Sequence, residues 1–268
     1  MRLKRAIAAV LGLAAVVTVV GASPSIAQGE DRSIKGVERE QGPKPLTTDG
    51  QSFLEINGAG QLVHWQRSGE SYSGQLRGWG WQGTRAITSL DNQSFLEIKG
   101  DGRLSKWTWN GGTYVEAVVG SGWNNARLVT GIANNQFIEI NNQGELVYWT
   151  FDGSNNLSRV LRGWGWGATK SITGLDPFVF FELKGDALNS LSWWVDTQEG
   201  LREFPEEVEP GQPQPDNRWM RLIAGTDSDH FTIVDTDGIL VEYTLDPSDY
   251  VWKLAVRGSG WQGTRLIG

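Results

Sequence analysis

Phe53-Leu54-Glu55-Ile56 returns as Phe95-Leu96-Glu97-Ile98 and again as Phe137-Ile138-Glu139-Ile140. It recurs, altered, as Phe180-Phe181-Glu182-Leu183 and Phe231-Thr232-Ile233-Val234. The leading phenylalanines are 42, 42, 43 and 51 residues apart. A fixed spacing of this size marks a repeat architecture. A second element follows each of the first three: Gly60-Gln61-Leu62-Val63-His64-Trp65, Gly102-Arg103-Leu104-Ser105-Lys106-Trp107 and Gly144-Glu145-Leu146-Val147-Tyr148-Trp149. The fifth unit has Gly238-Ile239-Leu240-Val241-Glu242-Tyr243, and in the fourth Leu191 and Trp194 fit after a two-residue insertion. A third element is Gly78-Trp79-Gly80-Trp81, with counterparts Gly120-Ser121-Gly122-Trp123, Gly163-Trp164-Gly165-Trp166 and Gly258-Ser259-Gly260-Trp261. In the fourth unit Trp219 holds this place without the glycines. A basic and then an apolar residue follow: Arg85 and Ile87, Arg127 and Val129, Lys170 and Ile172, Arg221 and Ile223, Arg265 and Ile267.

The local chemistry is β. Short segments rich in Phe, Ile, Val, Trp and Thr alternate with Gly, Asn and Asp. Gly58 to Gly60, Asp101-Gly102 and Asp237-Gly238 read as tight hairpin turns, where Gly accommodates a positive φ. No segment of the repeat region sustains a helical period. Each unit supplies four strands; in the second they are predicted at Thr84–Leu90, Ser94–Ile98, Arg103–Thr108 and Tyr114–Val119. Four strands in about 42 residues is the size of a propeller blade. The body, 47–268, begins after the Trp–Arg–Ile strand that introduces every other unit. It ends just after that strand, at Thr264–Gly268. A C-terminal strand that completes the first blade closes the ring, whereas an open solenoid leaves both ends uncapped. The expected fold is all-β: a closed five-bladed β-propeller.

Ahead of the body, Arg2, Lys4 and Arg5 precede an apolar run from Ala6 to Val20, followed by Gly21-Ala22-Ser23-Pro24-Ser25-Ile26-Ala27. Ser25 and Ala27 suit a signal peptidase site, so residues 1–27 read as a cleaved signal peptide and the protein as secreted. The other reading, a retained anchor, requires about 20 apolar residues. Residues 28–46 are polar and read as a flexible linker. The fourth unit carries an acidic, Pro-rich insertion, 196–217, either a partner contact or a tolerated surface loop.

Composition narrows the function classes. There are 24 Lys plus Arg against 31 Asp plus Glu. Without Arg2, Lys4 and Arg5 the net charge moves from −7 to −10, which gives nucleic acid no polybasic footprint. Zero Cys excludes disulfides, thiol nucleophiles and thiolate metal sites. Only 2 His, His64 and His230, leave little for imidazole chemistry, and no metal or cofactor is expected. Fourteen Trp and 35 Gly are many for this length.

With its G-x-G-W turn, the apolar strand after it and the strand–Gly–x–Leu hairpin, the chain resembles the tachylectin family. These are five-bladed β-propeller lectins. The resemblance covers about residues 47–268 and includes the number of units. It implies multivalent binding of N-acetylhexosamines such as N-acetylglucosamine and N-acetylgalactosamine, one site per repeat, between neighbouring blades.

Sugar binding needs flat aromatic faces for pyranose C–H groups and planar polar groups for hydroxyls. The aromatic candidates are Trp79, Trp81, Trp123, Trp164, Trp166 and Trp261. The polar candidates lie in the turns before the Phe strands: Asp49-Gly50-Gln51, Asp91-Asn92-Gln93 and Asn134-Asn135-Gln136. A Trp repeated once per blade serves either inter-blade packing or a ligand; Trp79 and Trp164 are absent from other units, so packing does not demand them. Asp and Asn in turns also cap their own backbone. The repeated Glu55, Glu97, Glu139 and Glu182 are expected to form inter-strand ion pairs with Arg85, Arg127, Lys170 and Arg265. One carboxylate per unit is not the close pair that glycosidase chemistry uses. Asp235-Thr236-Asp237-Gly238 reads as a hairpin turn or, more remotely, as part of a calcium loop. The leading function is a non-catalytic glycan-binding protein. The alternative is a protein-interaction propeller acting through the acidic insertion. A third possibility, a propeller glycosidase or lyase, lacks a repeated nucleophile–base pair.

Overall fold

In the computed structural model the described residues are 52–186, 190–197, 199–205, 217–246 and 251–268. The signal peptide, the linker and the start of the body lie outside them, as do Gln198 and residues 206–216 of the acidic stretch.

Twenty strands form five sheets of four. The first blade holds β1 (Ser52–Asn57), β2 (Gln61–Ser68) and β3 (Ser71–Trp79), and the second β4 (Thr84–Ser89), β5 (Ser94–Lys99), β6 (Leu104–Trp109) and β7 (Tyr114–Gly120). The third has β8 (Ala126–Ala133), β9 (Gln136–Asn141), β10 (Glu145–Phe151) and β11 (Leu157–Trp164). The fourth has β12 (Thr169–Asp176), β13 (Val179–Lys184), β14 (Leu191–Thr197) and β15 (Gly200–Pro205). The fifth has β16 (Met220–Asp227), β17 (His230–Asp235), β18 (Ile239–Asp246) and β19 (Val251–Ser259). The last strand, β20 (Thr264–Ile267), joins β1 as the inner strand of the first blade. The chain is a closed five-bladed propeller, with the predicted strands displaced by a residue or so at their ends.

One expectation is corrected. The stretch 196–217 is not loop throughout: Gly200–Pro205 pairs with Leu191–Thr197 as the outer strand of the fourth blade. Leu201 and Phe204 are half-buried there while Arg202 and Glu203 are exposed, a weak pattern hidden among the Glu and Pro residues.

The Phe-Leu-Glu-Ile element is apolar on both faces because each sheet is sandwiched between two others. Phe53 packs with Val234, Leu240 and Trp261 of the fifth blade side, while Leu54 and Ile56 pack with Ile87 and Phe95 of the second. Each of the five core clusters fills one gap between successive blades. At the axis the inner strands approach closely. The N–H of Gly174 donates to Thr130 Oγ1 at 2.7 Å, and a Cβ on Gly174 would stand 2.0 Å from the Gly131 carbonyl oxygen.

Further from the axis each gap has its own chemistry. A bulge in β3, β11 and β19 re-aims Arg77, Arg162 and Arg257 towards the neighbouring blade. Arg77 lies 4.2 Å over the Trp109 ring, and Arg162 pairs with Asp196. In the second gap Lys106 stands 5.2 Å over Phe151, and in the fourth Trp193 meets Trp252 at 5.4 Å. In the closing gap Glu242, 1% exposed, takes hydrogen bonds from Tyr72 Oη (2.7 Å) and Arg257 (3.0 Å) and an ion pair from Arg67 (3.0 Å). Burial, and then the Glu242 carboxylate, push the Tyr72 hydroxyl well above its ordinary range. Among the described residues no helix is long and apolar enough to cross a membrane.

Candidate functional site

The repeated glutamates and arginines do not pair with each other. Glu97 accepts from Thr84 Oγ1 at 2.5 Å and from Trp107 Nε1 at 2.9 Å. Glu55 takes Thr264 and Trp65 in the same way (2.6 and 2.7 Å), and Glu182 takes Thr169 and Trp194 (2.5 and 2.8 Å). The register explains the correction. Glu97 lies opposite Ile87, not Arg85, so the basic residue is two positions away along its strand. Ala126 stands where the other three blades with this glutamate have threonine; Glu139 has Trp149 Nε1 (2.7 Å) but no such hydroxyl, and burial pushes its carboxyl up. The basic residues reach the next blade instead. Arg221 donates to the carbonyls of Trp261 (2.7 Å) and Thr264 (2.6 Å), Arg85 to those of Trp123 (3.3 Å) and Ala126 (2.9 Å), and Lys170 to that of Met220 (3.0 Å). These bonds hold the short 3-10 turns from the neighbouring blade: the Trp123 and Trp261 carbonyls also accept the N–H of the residue that closes each turn, Ala126 and Thr264.

The tryptophan candidates divide. Trp81, Trp123, Trp166 and Trp261 open these 3-10 turns and are 6–8% exposed. Their rings lie 4.5–4.9 Å from Trp107, Trp149, Trp194 and Trp65 respectively. They are inter-blade packing, which corrects their assignment as ligand platforms. In blade 2 the glycine three residues earlier makes room for the ring: a Cβ on Gly120 would lie 2.6 Å from Trp123 Nε1.

Trp79 and Trp164 are each 71% exposed. They end the outer strands of blades 1 and 3, and the next residues, Gly80 and Gly165, sit at φ 94° and 97°. That backbone conformation turns the chain sharply inward and leaves the preceding indole outside. Trp79 stands opposite Gln61, and Trp164 opposite Glu145. The Trp81 N–H bonds the Gly60 carbonyl at 3.0 Å, so the G-x-G-W turn and the turn between the second and third strands share one end of the blade.

The polar turn candidates lie at the other end. Asp91, Asn92, Asn134 and Asn135 connect the first and second strands of their blades. The Phe151 N–H bonds the Asn135 carbonyl at 2.8 Å, tying that turn to the outer end of the third strand. They are therefore not brought together with Trp79 or Trp164. Asp91 Oδ1 accepts from the N–H groups of Gln93 (2.8 Å) and Ser94 (2.7 Å) and caps its own turn. Asn92, Asn134 and Asn135 are exposed. Asp235 likewise caps a hairpin, accepting from Asp237 (2.9 Å) and Ile239 (2.7 Å). Among the described residues no group of three His, Asp or Glu side chains is placed to hold a metal ion. Sequence reasoning missed Asn57 with Gln61 and Asn141 with Glu145; comparing the residues on either side of each second turn would have found them.

The described residues form a five-bladed β-propeller with the indoles of Trp79 and Trp164 exposed at the same end of their blades. No protein-family model matches the sequence, and no curated protein matches it. Among solved structures the chain is similar to the SapL1 lectin in complex with alpha methyl fucoside, at 15% identity and a TM-score of 0.47, over 83% of this chain and 82% of that one. It is similar to U3-55K at 10% identity and a TM-score of 0.47, over 82% of each chain. Both likenesses concern the propeller fold alone.

Proposed function

We propose that this chain is a secreted, non-catalytic lectin that binds glycans through more than one site, with Trp79 and Trp164 as stacking platforms. The observation that carries this reading is the pair of indoles, each 71% exposed, at equivalent rigid turns of blades 1 and 3. An exposed indole offers the flat apolar face that a pyranose C–H surface needs. The resemblance of the repeats to the tachylectin family directs the choice of sugar to N-acetylhexosamines. Two platforms on one ring bind a glycan-coated surface with avidity although each contact is weak.

The test is binding of the chain from Gln28 onward to an array containing N-acetylhexosamines, with free sugar as competitor. Competable binding that falls in Trp79→Ala and Trp164→Ala supports the reading; a folded protein blank across the array contradicts it. A second reading has its own observation. The outer strands of blades 2 and 5 expose Val118, Leu254 and Val256 at 54–64%, an apolar rim suited to a protein partner.

A further inference from the structure

Each exposed tryptophan stands beside a built polar pair. In blade 1, Asn57 Oδ1 accepts from the backbone N–H groups of Ala59 (3.0 Å) and Gln61 (3.1 Å). Its Nδ2 donates to Gln61 Oε1 at 2.8 Å. Blade 3 repeats the device: Asn141 Oδ1 accepts from Gln143 and Glu145 (both 3.0 Å), and its Nδ2 donates to Glu145 Oε2 at 2.7 Å. The register sets Gln61 opposite Trp79 and Glu145 opposite Trp164. Directly opposed residues of an antiparallel pair share a face, with β-carbons about 5 Å apart.

The other blades lack both the asparagine–side-chain pair and the tryptophan, although Asp235 of blade 5 makes the same turn cap to Asp237 and Ile239. Blade 2 carries Lys99, Arg103 and Ser121 at the three positions, and blade 5 carries Asp235, Ile239 and Ser259. Blade 4 has Lys184 in place of the asparagine and lacks the glycine turn. Asparagine, amide or carboxylate, and tryptophan therefore occur together or not at all. Packing gives no reason for this coupling, because the indoles are exposed. A shared ligand does.

We propose that blades 1 and 3 each carry a three-residue carbohydrate subsite, and that the two subsites select sugars by charge. The inference rests on the lectin reading above. Asn57 and Asn141 are positioning residues; Gln61 and Glu145 set specificity; Trp79 and Trp164 carry the ring. Two backbone donors fix which end of Asn57 is the oxygen, so its amide nitrogen must face Gln61 and engage Gln61 Oε1. That leaves Gln61 Nε2 for the ligand, a donor that accepts the approach of a hydroxyl, carbonyl or carboxylate oxygen. In blade 3 Asn141 takes Oε2 and leaves Glu145 Oε1, an anionic acceptor that requires O–H or N–H and repels a carboxylate. Arg159 lies 3.9 Å from the engaged oxygen with its side chain 54% exposed, so it offsets this repulsion little. Blade 1 takes neutral or acidic pyranosides, and blade 3 takes neutral ones only.

The experiment is calorimetric titration of the full chain with a matched pair: methyl N-acetylglucosaminide and its C6-oxidised uronic acid. The wild-type protein binds the neutral sugar at two sites and the acid at one. Trp79→Ala removes the acid site and one neutral site; Trp164→Ala removes only a neutral site. Glu145→Gln adds a second acid site, and Gln61→Glu takes the first below detection, as a like charge at contact distance does to a weak site near a protein surface. If the tryptophan variants abolish neutral-sugar binding but the charge exchanges move nothing, selection by charge is overturned and the lectin reading stands. Neutral-sugar binding that survives loss of both tryptophans also overturns the subsites. A folded wild-type protein that binds neither sugar overturns the lectin reading itself.

Discussion

Trp79 and Trp81 are the same residue type two positions apart, yet one is 71% exposed and the other 8%. Their substitutions therefore separate function from stability. Trp79→Ala and Trp164→Ala should alter the unfolding free energy by less than about 0.5 kcal/mol while reducing glycan binding. Trp81→Ala should cost about 3–5 kcal/mol, because it empties the space against Trp107 and Phe95. Denaturant titration of the three variants checks both. Glu97→Ala orphans the Thr84 hydroxyl and the Trp107 N–H, at about 1–3 kcal/mol for each buried group left unmade. The sequence singled out Trp79 and Trp164 because other units lack them. It did not separate the packing tryptophans from the platforms with the same clarity, since both follow glycine in identical local sequence. The partners of the glutamates were illegible for a different reason: Thr84 and Trp107 reach Glu97 only once the strand register is fixed.

At the scale of elements, the turn between β16 and β17 carries a titrating pair. His230 Nδ1 lies 2.9 Å from Asp227 Oδ1. That hydrogen bond raises the imidazole above its usual 6.5, against the opposing effect of burial and with help from the Asp227 charge. A raised folded value means that the native state holds the proton more tightly. The stabilisation is fully present below about pH 6.5 and is lost as pH rises through the raised value. Unfolding midpoints of the wild type and His230→Gln between about pH 5 and pH 8 should converge towards the alkaline end, with the wild type the more stable at the acid end. The strands themselves were legible, because aromatic and β-branched runs alternate with Gly, Asn and Asp turns. β15 was not: only Leu201 and Phe204 mark its inner side, within a run of glutamates and prolines.

For the whole molecule, closure rests on β20 and on the Glu242 cluster. Closure by β20 was legible because the C-terminal strand supplies the piece that the first unit lacks. The cluster was not legible. Glu242 occupies the position that holds His64, Lys106 and Tyr148 in other units, and its partners Arg67 and Tyr72 are in the first blade. Five gaps with five different chemistries make each blade fit one neighbour. Glu242→Ala leaves Arg67, Arg257 and Tyr72 without their shared carboxylate. It should destabilise the ring by about 3–5 kcal/mol, the range for breaking a buried pair from one side. Thermal unfolding checks this, with Glu70→Ala, on a carboxylate 92% exposed, as the control that should scarcely shift the midpoint.

The central claim is that this ring binds sugar through two exposed indoles. The most direct measurement is the binding of an N-acetylhexosamine to the wild-type chain and to the Trp79→Ala, Trp164→Ala double variant, each verified as folded by circular dichroism. The account predicts competable binding in the wild type and its loss in the double variant at unchanged stability. Equal binding by both proteins, or none by a folded wild type, would contradict it.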